Sequence, residues 1–126
     1  MKKILLVVLI LTVILSFTSC ASVYEKVTGS LMEKIPTGNH YSSEQIENVQ
    51  ATHDKHEHFE GKILSMADFS TIDADGNNIY IYVYEFELKS DAEKWYDMVK
   101  AGWAYARTKG NVVIYGTDSI IEDIKL

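Results

Sequence analysis

The sequence predicts an α+β domain, with an antiparallel four-stranded sheet and helices mainly on one face, in the order helix, strand, strand, helix, strand, strand, helix. Three observations point there. Two stretches open with capping-box residues and continue at helical spacing; "NNIYIYVYEFEL" alternates with the two-residue period of a strand; and two strand pairs, separated by a helix, are each joined by a glycine-containing turn.

The first helix is expected over about Ser43–His56. Ser42 and Gln45 form a capping box, Tyr41 and Ile46 stand at the two positions of a hydrophobic staple, and Ile46 and Val49 supply a thin apolar face. "FEGKILSMADFSTID" has the β-branched and aromatic content of a strand, and the strand that follows is the strongest in the chain. Along it Ile79, Ile81 and Val83 face one side while Tyr80, Tyr82, Tyr84 and Phe86 face the other. This pattern predicts a central strand whose aliphatic side is covered by helices, leaving Tyr80, Tyr82 and Tyr84 as a candidate binding surface.

Ser90 and Glu93 make a second capping box, opening a helix with Ala92, Trp95, Tyr96 and Val99 on one face and Gly102 in its last turn. "WAYARTKGNVVIYGT" reads as a hairpin turning at Lys109–Asn111, and "DSIIEDIKL" as a short terminal helix burying Ile120, Ile121 and Ile124. Trp95 and Trp103 are expected in the core. "YEFELKSDAEKWYDMV" followed by "GNVVIYG" resembles small ferredoxin-like, open-faced α+β modules of bacterial lipoproteins, a likeness that implies no functional residue.

The first twenty residues, "MKKILLVVLILTVILSFTSC", place two lysines before an apolar run and end in the lone cysteine, the layout of an export signal. The run ends short of the roughly 20 apolar residues that a membrane span requires. "FTSC" resembles the lipobox of bacterial lipoproteins, with Ser19 as the small residue before the cysteine and Phe17 in place of the usual leucine. The resemblance implies removal of residues 1–19, acylation of Cys20 and attachment to the cell membrane or outer membrane, facing away from the cytoplasm. Acylation would leave Cys20 neither a nucleophile nor a thiolate ligand. The segment 20–40 is expected to be a tether, with Val23, Val27 and Leu31 at helical spacing but weakened by Gly29, and residues 41–126 the single domain.

Without residues 1–19 the chain keeps 107 residues and ten lysines and arginines against 18 acids, a net charge of −8. Nucleic acid and anionic lipid headgroups are both poor partners for such a surface. The chain contains no GxSxG, no HExxH, no glycine-rich phosphate loop and no free cysteine nucleophile, so no enzyme and no cofactor is expected.

Two stretches invite a metal. In "DADGNN", Asp73, Asp75 and Asn77 mimic the start of a calcium loop, but the sixth and twelfth positions fall on Asn78 and Tyr84, and tyrosine cannot supply the bidentate carboxylate. Asp75-Gly76 is instead a hairpin-turn signal. In "HDKHEH", a continuing helix would project His53, His56 and Glu57 from one face and send His58 elsewhere, with His40 a conceivable further ligand. The function expected is therefore noncatalytic binding of a protein or envelope partner by a lipid-anchored domain; the alternative is a metal-binding lipoprotein using the His53–His58 cluster.

Overall fold

The computed structural model describes residues 21–126; Cys20 and the segment expected to be an export signal lie outside the described residues. No helix among the described residues is long and apolar enough to cross a membrane. The elements are α1 (Val23–Lys34), β1 (Asn39–His40), α2 (Ser43–Lys55), β2 (Ile63–Ile72), β3 (Asn78–Phe86), α3 (Lys89–Gly102), β4 (Tyr105–Lys109), β5 (Val112–Gly116) and α4 (Ile120–Asp123). All strand pairs are antiparallel, in the order β1-β2-β3-β5-β4. The protein is thus α+β, with five strands rather than four. The fifth, β1, is two residues long, too short for a periodic signal, and exists because Asn39 and His40 pair with Asp68 and Ala67.

Where the local signal is strong, the elements form as their residues dictate. Ser42 accepts from the Gln45 N–H, and the Gln45 side chain accepts from the Ser42 N–H, closing the capping box of α2. The second capping box does not form. The N-cap of α3 is Leu88, with no side-chain bond, and Ser90 lies inside the helix. The acid that matters in that first turn is Asp91, which is buried and turned onto a neighbouring loop.

The segment predicted to be a tether is α1, and it belongs to the core. Ser22 caps it by accepting from the Glu25 N–H, and the stripe Tyr24, Val27, Thr28, Leu31 is buried. Gly29 sits on the exposed side with nothing near it. Its helix cost is about 1 kcal/mol, whereas fully burying a Val or Leu side chain returns about 1.5–3 kcal/mol; two such residues decide the outcome.

Helices cover both faces of the sheet, not mainly one. On the aliphatic face, α1 and α4 enclose Ala67, Phe69, Ile81, Val83, Val112 and Ile114. On the other, α2 and α3 pack over Met66, Tyr84, Phe86, Val113 and Tyr115. The amphipathic helix α3 brings its own apolar face, Ala92, Trp95 and Val99, and the tyrosine side of β3 is the surface that completes it. β3 and β5 approach closely where Gly116 faces Ile81: a Cβ on Gly116 would collide with the Tyr80 carbonyl oxygen.

Candidate functional site

The tyrosine row of β3 grades from core to solvent. Tyr84 is 6% exposed, stacked on Trp95 with ring centroids 5.5 Å apart, and burial raises its hydroxyl pKa. Tyr82 is half-buried, stacked on Tyr115 and edge-on to Trp103. Tyr80 is 42% exposed. Tyr84 is therefore a core residue and not part of a binding surface, because α3 lies over it. What remains open is the hairpin end of this face. There Tyr80 pairs with Ser70, and Ile72, two residues along on the same face, is 65% exposed.

Between these strands the chain reverses through Asp73–Asn77. One Asp73 carboxylate oxygen accepts from the amides of Asp75 and Asn77, at 2.9 Å each, and Gly76 adopts φ 83°. These amide bonds hold the Asp73 pKa below the ordinary carboxylate value. The carboxylate is a turn-former bonded to its own backbone.

The histidines gather differently from a continuous helix. α2 stops at Lys55, Glu57 takes the left-handed conformation at φ 54°, and the amides of Glu57 and His58 bond back to the carbonyls of Asp54 and His53. This is a Schellman ending, and it folds the residue after the left-handed position back over the last turn. His58 is consequently the partner of His53, their Nδ1 atoms 2.9 Å apart. His56 is exposed and stacked on His58 at 5.4 Å. His40 bonds the Tyr24 hydroxyl on the opposite face of the sheet, so it is not a further ligand for this cluster. Among the described residues no three His, Cys, Asp or Glu side chains converge to hold a metal ion.

His53 is buried against Phe59, Tyr84 and Trp95. Burial lowers its pKa, and His58 and His56 lower it further, against a smaller opposite effect of Asp54. Above about pH 6.5 the ring is neutral in both folded and unfolded states. Below that, the unfolded chain takes up a proton that the folded ring resists, so stability falls as pH falls, with a slope of at most about 1.4 kcal/mol per pH unit from this group. Urea unfolding at pH 7, 6 and 5 should show this loss, and His53→Leu should flatten it relative to the parent protein; identical pH profiles would contradict the assignment.

A site that sequence reasoning missed lies between α2 and the start of β2, a cleft of about 540 Å³. Ile46, Ala51 and Ile63 contribute apolar surface, and Glu47, Asp54, Glu60 and Glu87 surround it with Lys62 as the cation of the lining. Its wall is well built. Gln50 accepts from the Ile63 N–H at 2.7 Å and donates to Asp54 at 2.9 Å, while Asp91 accepts from the amides of Glu60 and Gly61 at 3.1 and 2.8 Å. The lining contains no Ser, Thr, Cys or His. The overall negative charge was the one sequence signal of this site; its residues are too far apart in the chain for spacing to join them.

No protein-family model, no curated protein and no solved structure matches this chain.

Proposed function

We propose that the protein is a noncatalytic, lipid-anchored domain of the cell envelope, held outside the cytoplasm by acyl chains on Cys20, that binds a protein partner through the open hairpin end of its tyrosine face. The observation that carries the binding half is the exposed pair Tyr80 and Ile72, which extends an otherwise buried aromatic row into solvent. Tyrosine beside an exposed aliphatic side chain is a typical anchor for a protein interface. The anchoring half rests on the signal-like start and the lipobox resemblance. Metal binding is the weaker alternative, because His53 and His58 turn their facing nitrogens on each other and Glu57 enters the left-handed turn that ends α2.

A photoreactive phenylalanine analogue placed at Tyr80 in cells should give a discrete protein adduct in the membrane fraction. The same analogue at Lys94, exposed on α3, should give none. Ile72→Asp should abolish the adduct, and Cys20→Ala should remove the protein from the membrane fraction or leave its signal uncleaved. Adducts of equal yield from both positions, or none from Tyr80, would contradict the binding surface; normal processing and retention of Cys20→Ala would contradict the anchor.

A further inference from the structure

A second cavity, of about 420 Å³, lies between the first turns of α1, the end of β4 and the last residues of the chain. Lys26, Lys109 and Lys125 line it together with Val23, Ser30 and Leu126, and no acidic side chain is among them. On a domain carrying −8, three ammonium groups set against the one main-chain carboxylate of Leu126 leave this concavity a local reversal of charge. The wall is fixed by the chain itself. Lys109 donates to a carboxylate oxygen of Leu126, the last residue of this chain, at 2.8 Å, and Arg107 donates to the carbonyls of Ile121, Glu122 and Ile124, fastening the α4 region to β4. Ser30 stands one helical turn from Lys26 on the same side of α1, adding a hydroxyl donor.

The position of this cavity gives it a specific neighbour. Val23 is three residues after Cys20, a length of chain that spans at most about 10 Å. An acylated Cys20 would therefore keep the first turn of α1, and Lys26 with it, close to the phospholipid headgroups. We propose that the cavity holds the phosphate of an anionic phospholipid headgroup and so sets the orientation of the domain on the membrane. This inference rests on the lipid-anchored reading above. A lysine near an anionic surface strengthens association about fivefold, so the two net positive charges left after the Leu126 carboxylate is counted give an effect on the order of thirtyfold. The acidic cleft packs against α2, on the opposite face of the sheet, so this orientation turns it away from a surface of like charge.

The test measures amine acylation rates, lysine by lysine, on the full-length chain. The protein is bound to phosphatidylglycerol–phosphatidylethanolamine vesicles or kept in neutral detergent micelles. Lys26, Lys109 and Lys125 should react about tenfold more slowly on the vesicles, while Lys62 and Lys94 keep their micelle rates. Lys26→Glu should restore the reactivity of Lys109 and Lys125, and about 1 M salt, which shortens the Debye length to about 3 Å, should erase the difference. Uniform rates, or equal slowing of all five lysines, would overturn the proposal. So would the same protection produced in micelles by inorganic phosphate, which would mark a free-anion site instead.

The mass of the peptide containing Cys20 separates this result from the anchoring question. Protection without acylation, on chains held to vesicles by the apolar segment from Ile4 to Phe17, would refute the anchor and leave the headgroup site standing. Acylation without protection would do the reverse.

Discussion

Leu31→Ala is expected to reduce the unfolding free energy by about 3 kcal/mol, as large-to-small changes at fully buried leucines do. Leu31 is 0% exposed in the core formed by α1, β2, β3 and β5, beside Val27 and Phe69. The loss combines the transfer free energy of the removed atoms with a cavity that the flanking sheet cannot easily close. Urea unfolding followed by tryptophan fluorescence is an informative measurement, because Trp95 and Trp103 pack on the opposite face of the sheet. A single transition shifted to lower urea would show that α1 is coupled to the whole domain. A change below about 0.5 kcal/mol, the usual effect of a surface substitution, would mean that α1 behaves as a loosely attached tether.

Asp91→Ala should cost a comparable amount, about 3 kcal/mol. Asp91 is 1% exposed, and its two carboxylate oxygens accept separately from the backbone amides of Glu60 and Gly61. Hydrogen bonds to charged groups contribute about 1.5–3 kcal/mol each, and alanine leaves both amides without an acceptor. Its place in the first turn of α3, where the helix dipole favours an anion, adds to the effect. Asp91→Asn retains one acceptor oxygen and should lose about half as much. The local consequence can be read by amide exchange: Glu60 and Gly61, which form part of the wall of the acidic cleft, should exchange much faster in Asp91→Ala even where the domain remains folded. Unchanged exchange at these two amides would contradict the role assigned to Asp91.

What could be read from the chain follows the range of the interactions involved. The capping of α2 by Ser42 and Gln45, the alternation of β3, the turn at Asp73–Asn77 and the hairpin at Gly110 depend on residues within about four positions of one another. The sequence by itself therefore determined the α+β class, most of the helices and strands, and which side of β3 each residue faces. It also supplied the signal-like start, whose residues lie outside the described structure.

Only the tertiary structure decided what covers each face. Alternation assigns Tyr84 to a side of the sheet, but an amphipathic ring fits either water or a helix, and the apolar face of α3 resolved that choice. Likewise, the weak propensity of α1 gave way to the burial of Val27 and Leu31. The left-handed turn at Glu57 sent His58 onto His53, and neither the acidic cleft nor the lysine cavity can be found from spacing, since each joins segments remote in sequence. Local order depends on short-range bonds that residue types specify directly, whereas the covering of faces and the gathering of charges depend on which distant surfaces meet.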